Sequence, residues 1–177
     1  MPKTKLAFDT NIWIYLLDRK SSFHNLARKA FAKVEKEGWE IIIAQQNLLE
    51  LIEVLIAWYG YLPKAAIREA QMIIGHNVRI VQPLPQTLNT YFTLAALSLK
   101  KNNNFDLYLA ATLLDNGIKN LVTNDKSGFK GLKGIEVKPL KEFVVDKKLR
   151  QEIKKGWQEI KAGKGVPEVK AKKNLDL

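Results

Sequence analysis

Four acidic residues occupy settings where a charge is costly. Asp9 ends the apolar run Leu6-Ala7-Phe8, and Thr10, Asn11 and a second apolar run from Ile12 follow at once. Glu50 lies inside Asn47-Leu48-Leu49-Glu50-Leu51, and Asp106 inside Phe105-Asp106-Leu107-Tyr108-Leu109-Ala110-Ala111. Asp125 follows Leu121-Val122-Thr123-Asn124. An ionised carboxylate among apolar neighbours needs a partner. Four that converge would repel one another unless a cation or bound protons compensate them. No His or Cys belongs to the set, and oxygen-only ligation suits Mg²⁺ or Mn²⁺ better than Zn²⁺. Such an ion, held by carboxylates, can orient a phosphate and activate a water for in-line attack. The chemistry indicated is metal-driven phosphodiester hydrolysis, with Asp9, Glu50, Asp106 and Asp125 as the catalytic and metal-site residues.

Each acid also has a plain structural reading. Asp9 can cap the helix that follows it. Asn47-x-x-Glu50 and Asn103-x-x-Asp106 both have the form of a capping box, in which the acid reaches back to a backbone N–H. Asp125 can be the turn residue of Thr123-Asn124-Asp125-Lys126. Taken singly, each reading stands beside the functional one. Taken together, two acids end strands and two begin helices, which favours convergence. Convergence further predicts that Asp9→Asn or Asp106→Asn raises the melting temperature of the metal-free protein by relieving repulsion.

The elements that must position these acids alternate. Strands are predicted at Lys3 to Asp9, Glu40 to Ala44, Asn77 to Val81, Asn120 to Thr123 and Ile135 to Lys138. Ile41-Ile42-Ile43 has the β-branched character of a strand covered on both faces. Helices are predicted from Ile12, from about Asn25 to Gly38, over Asn47 to Tyr59, from Pro63 to about Ile74, over Gln86 to Lys100 and over Phe105 to Asn116. This alternation predicts a three-layer α/β/α domain around a parallel sheet. In such sheets, strand C-termini and the N-termini of the following helices share one edge, where sites lie.

Composition narrows the class. The 177 residues suffice for one domain with a two-sided core. The absence of cysteine excludes disulfides, thiolate metal sites and thiol nucleophiles. The start leads into a strand rather than a signal-peptide core, and no run approaches the ~20 apolar residues of a membrane helix; a cytoplasmic protein without membrane association is expected. The net charge of +11 favours a polyanionic partner, nucleic acid being the commonest. From Lys141 to Leu177, 11 Lys and Arg face 6 Asp and Glu. The expected division is residues 1–144 as the nuclease-like domain and 145–177 as a basic extension. Leu149, Ile153, Trp157 and Ile160 give part of it a helical stripe, and beyond Gly163 it reads as flexible. His24 and His76 are expected in cap or surface roles, Glu53 on a solvated face and Asp115 in a helix C-terminal turn. Trp13, Trp39, Trp58 and Trp157 are expected in core or interface positions.

The four segments around Asp9, Glu50, Asp106 and Asp125 resemble, in order, the four acidic motifs of the PIN domain, and VapC-type toxins have the most similar pattern. The resemblance spans about residues 4 to 140. It implies the α/β/α fold and an Mg²⁺- or Mn²⁺-dependent endoribonuclease acting on RNA. By the same resemblance, Thr123 supports the acids through its hydroxyl, and Thr10 and Asn11 occupy accompanying positions. A homodimer and a cognate antitoxin would be partners if the chain is the toxin of a toxin–antitoxin pair. Two alternatives remain: an RNA-processing nuclease without antitoxin, and a catalytically idle RNA-binding module. A phosphatase with an aspartate nucleophile would need an acid at Asn11, and a receiver domain would need an adjacent acidic pair after the first strand.

Overall fold

The structure, a computed structural model, describes residues 3–75, 78–98 and 102–145. Its elements run β1 (Lys5–Phe8), α1 (Thr10–Leu17), α2 (His24–Lys36), β2 (Glu40–Ala44), α3 (Gln45–Ala57), α4 (Pro63–Gly75), β3 (Val78–Val81), α5 (Thr87–Ser98), α6 (Asn104–Asp115), β4 (Asn120–Val122), a 3₁₀ turn (Ser127–Phe129), β5 (Glu136–Lys138) and α7 (Leu140–Val144). The five strands form one sheet in the order β3-β2-β1-β4-β5, and every neighbouring pair is parallel. This is the predicted α/β architecture. The predicted basic extension lies outside the described residues beyond Val145, as do Trp157 and its apolar stripe. His76 lies outside them too.

The strand sequences explain the layers. Successive strand residues point to opposite faces. Leu6, Phe8, Ile41, Ile43 and Val122 belong to one apolar cluster, together with residues of α1 to α4 and α7. Ala7, Ile42, Ala44 and Leu121 belong to a second, together with Leu109, Ala110 and Leu113 of α6. Both faces are covered, so the strands read as continuous apolar runs rather than as alternating ones. Trp13 is buried and its indole N–H donates to the Phe8 carbonyl at 3.0 Å, which fastens α1 to the end of β1.

The helices differ from their predicted bounds where side chains decide the start. Helix α1 begins directly after Asp9, not at Ile12, and α3 begins at Gln45, not at Asn47. Gly38 and Gly117 end α2 and α6 at φ 65° and 69°, a region that only glycine enters freely. Helix α7 has no counterpart in the sequence reading. It buries Leu140 and Phe143, and Phe143 meets Phe8 edge-on with ring centroids 6.2 Å apart.

The strand order sets the location of a site. The direction in which strands are added reverses beside β1: β2 and β3 lie to one side of it, and β4 and β5 to the other. Open α/β sheets bind ligands in the crevice at such a point. Phe8 is in register with Val122, so the next residues, Asp9 and Thr123, emerge side by side. The Asp9 N–H still donates to Val122 O at 3.0 Å.

Candidate metal centre

Asp9 is the anchor of the cluster. Its side chain caps α1 by accepting from Thr10 N at 2.8 Å. The same oxygen, Oδ1, accepts from Asn47 Nδ2 at 3.2 Å. The other, Oδ2, accepts from Asn11 Nδ2 at 2.8 Å and from the Thr123 hydroxyl at 2.6 Å. Two carboxylate oxygens offer about four lone-pair sites, so Asp9 is saturated by donors. Burial is nonetheless the largest influence on its carboxyl and raises its pKa against the effect of these bonds; nearby Glu50 and Asp125 push the same way.

Thr10, Asn11 and Thr123 form a hydrogen-bonded framework around Asp9 and Glu50. The Thr123 hydroxyl donates to Asp9 and accepts from Asn11 Nδ2 at 2.9 Å and from Asp125 N at 3.0 Å. It thereby ties the end of β1 to the turn that carries Asp125. Thr10 accepts from Asn47 Nδ2 at 3.0 Å and donates to Glu50 Oε2 at 2.5 Å. The Asn11 side chain also accepts from Asn124 N at 3.3 Å, while Asn124 Oδ1 accepts from Leu140 N at 3.1 Å.

The capping readings of the acids fare unevenly. Asp9 is a helix cap, and it also sits within the cluster. The Asn47–Glu50 capping box does not form: Ala44 holds the cap position, and Asn47 lies within the first turn of α3. Its buried amide turns inward to Asp9 and Thr10, and Glu50 takes the Thr10 hydroxyl instead. Asn103 does cap α6, accepting from Phe105 N at 2.9 Å. Asp106 makes no return bond and accepts no hydrogen bond from any described residue. Asp125 is a turn residue, its Oδ1 accepting from Ser127 N at 3.0 Å and from the Ser127 hydroxyl.

The four acids are close enough to feel one another. Asp106, half-buried in the first turn of α6, has its carboxyl raised from 3.8 to about 6, first by burial and then by the charges of Asp9, Asp125 and Glu50. None of the four is in an ion pair among the described residues. They are not a finished cage, because no three or more such groups among the described residues are placed to grip an ion as they stand. The donor set still fits a hard divalent cation: oxygen ligands only, uncompensated charge, and an Asp106 carboxylate with its acceptors unused.

Asn47 bonds to Asp9 and Thr10, Ser127 bonds to Asp125, and Gly128 lies against Asp106, though sequence reasoning singled out none of the three for the candidate site. Asn47 had a signal, a polar residue three positions before Glu50 on an otherwise apolar helix face. Gln46 also joins the edge, its Nε2 donating to Phe105 O at 3.0 Å and linking the first turns of α3 and α6. The remaining predicted bystanders lie elsewhere. His24 Nδ1 is 3.0 Å from the Tyr15 carbonyl, and Glu53 is exposed. Asp115 ends α6 and accepts from the hydroxyls of Thr87 at 2.7 Å and Thr90 at 2.9 Å, which pins α5 to α6. Among the described tryptophans, Trp58 is the one on the surface, at 84% exposed.

Known proteins share this arrangement of elements. VapBC2 from Rickettsia felis, bound to a DNA fragment from its promoter, contains a chain similar over 77% of this protein and 98% of its own length, at 16% identity and a TM-score of 0.63. VapBC-1 from nontypeable Haemophilus influenzae matches over 78% and 99% at 19% identity and a TM-score of 0.62. VapC20 from Mycobacterium tuberculosis, a toxin that cleaves the sarcin-ricin loop, matches over 73% and 98% at 17% identity and 0.59. At these identities the likeness establishes the fold. No curated protein matches the chain in sequence. The PIN domain family matches residues 6–134, a span that contains all four acids and most of both core clusters, Ile135, Leu140 and Phe143 lying beyond it. The chain belongs to the PIN domain family, a family of nucleases.

Proposed function

We propose that the protein is an Mg²⁺- or Mn²⁺-dependent endoribonuclease, with Asp9, Glu50, Asp106 and Asp125 as the metal-site acids. The observation that carries this reading is Asp106. It is an acid with no donor among the described residues, held among three others and raised to about 6 by burial and by their charge. An arrangement of that kind repels phosphate unless a cation is present. When bound, the cation would lower the pKa of a water and offset charge on the phosphate. The chain's own residues supply the geometry. Thr123, Asn11 and Asn47 hold Asp9 immobile, Thr10 orients Glu50, and Ser127 orients Asp125. Glu50 and Asp125 are exposed and face the solvent from which a substrate strand arrives. The net charge of +11 supports RNA as the polyanion. The intact acid quartet favours this reading over an idle RNA-binding module.

A toxin role with a cognate antitoxin follows from the VapBC likeness. It is supported by apolar side chains that the described domain leaves uncovered. Trp58 and Leu62 at the α3–α4 connection are 84% and 76% exposed, and Leu88 and Phe92 share a face of α5 at 52% and 55%. Surfaces of this kind mark protein contacts, and a homodimer and an antitoxin would use them. Purified full-length protein incubated with a mixed RNA pool should cut in Mn²⁺ or Mg²⁺ and stop in excess EDTA. Undiminished cutting in chelator would overturn the metal mechanism.

A further inference from the structure

Gly128 lies buried in the turn Ser127–Phe129, and its backbone does not call for glycine. Among the described residues the positive-φ glycines are Gly38, Gly60, Gly117, Gly131 and Gly134. What sets Gly128 apart is its neighbour. A Cβ built there would lie 2.0 Å from Asp106 Oδ2, 2.5 Å from its Cγ and 3.1 Å from its Cβ. The Asp106 carboxylate therefore occupies the space that any other residue would fill with its side chain.

We propose that Gly128 is a positioning residue for the metal centre: the missing side chain lets the turn close on Asp106 and hold its carboxylate toward the other acids. This rests on the reading of the acids as a cation site. The turn cannot simply draw back. Phe129 is buried in the same apolar cluster as Ala110 and Leu113 of α6, the helix that carries Asp106. At its other end, Ser127 is bonded to Asp125 through both its N–H and its hydroxyl. One turn thus orients Asp125 through Ser127 and backs Asp106 through Gly128, fixing the spacing of two acids. The chemistry of the contact matters as much as its shape. A glycine α-carbon is at most a weak hydrogen-bond donor. It supports the carboxylate without occupying a lone pair or neutralising the charge, as a Ser, Asn or Lys side chain would. The acceptors of Asp106 remain free for a cation.

The test is Gly128→Ala in the full-length protein, with Mn²⁺ affinity read from the paramagnetic resonance of free Mn²⁺ and folding read from the metal-free melt. The atoms in the way belong to a rotatable side chain, so the variant should fold and melt close to wild type. Turning Asp106 aside should weaken Mn²⁺ binding by ~10–100-fold, the usual effect of disturbing a group that orients a ligand. In an Asp106→Ala background, Gly128→Ala should make no further difference to Mn²⁺ affinity. If Gly128→Ala fails to fold, adding Asp106→Ala should restore the melt, because the obstructing carboxylate is gone. Wild-type Mn²⁺ affinity in Gly128→Ala would overturn the proposal. So would equal losses with and without Asp106, or a folding defect that Asp106→Ala does not relieve. A wild-type protein that binds no Mn²⁺ would instead overturn the cation-site reading itself, and the role of Gly128 with it.

Discussion

Asp106→Asn should make the metal-free protein more stable while abolishing metal-dependent cleavage. The carboxyl is raised from 3.8 to about 6 by burial and by three neighbouring acids. Two units between unfolded and folded states correspond to ~3 kcal/mol at 1.36 kcal/mol per unit. The group is only half-buried, so solvent screens part of this, leaving about 1 kcal/mol. Asparagine keeps the shape and removes the charge. For a chain of this size the gain is roughly 2–4 °C in Tm. The sign depends on pH. The folded state holds its proton more tightly than the unfolded state, so wild-type stability is free of the penalty below about 3.8 and declines as pH rises through about 6. Melts of wild type and Asp106→Asn in EDTA should therefore coincide near pH 4 and separate to their full difference above pH ~7. Titrating groups outside the cluster shift both proteins alike, so the difference reports Asp106 together with its coupling to Asp9, Glu50 and Asp125. Added Mg²⁺ should then raise the wild-type Tm by mass action and the variant's far less. An Asp106→Asn protein that melts below wild type at neutral pH, or a difference that does not change with pH, would refute the reasoning.

Asp9→Asn should behave in the opposite way, although both acids belong to one cluster. Asp9 accepts from Thr10, Asn11, Asn47 and Thr123, and an amide group would confront two of these donors with its own N–H. Leaving buried donors unmatched costs about 1–3 kcal/mol each, more than the relief of repulsion returns, so a lower metal-free Tm is expected in a calorimetric scan. Truncation after Val145 should leave a folded domain, because Leu140 and Phe143 of α7 are retained in the core. Ending the chain before Leu140 should lower stability by several kcal/mol in urea titrations, since each buried side chain contributes ~1.5–3 kcal/mol. If the basic segment beyond Val145 contacts RNA, the first truncation should also flatten the salt dependence of log K by about 0.7 per lost phosphate contact.

Local rules carried the reading as far as the edge of the sheet. The apolar runs gave the strands, the periodic segments gave the helices, and acids at strand ends and helix starts pointed to one side of a parallel sheet. The four PIN-like motifs located the acids from the sequence alone. Local patterns could not rank those acids, because their environments are built from distant residues. Asp9 is saturated by Asn47 from 38 positions away and by Thr123 from 114 away, so an amide substitution there is now predicted to cost stability rather than to return it. Asn47 has the spacing of a cap, yet α3 starts two residues earlier and turns its amide toward Asp9 and Thr10. Asp115 reads as a turn residue until α5 packs on α6 and brings Thr87 and Thr90 to it. Gly128 carries no unusual backbone signal, since its role is the space left for Asp106 by a helix that begins 24 residues before it. Spacing along the chain fixes which residues share a face or an edge; which of them donates, accepts or stays open is decided only when β1 pairs with β4 and the helices close around that edge.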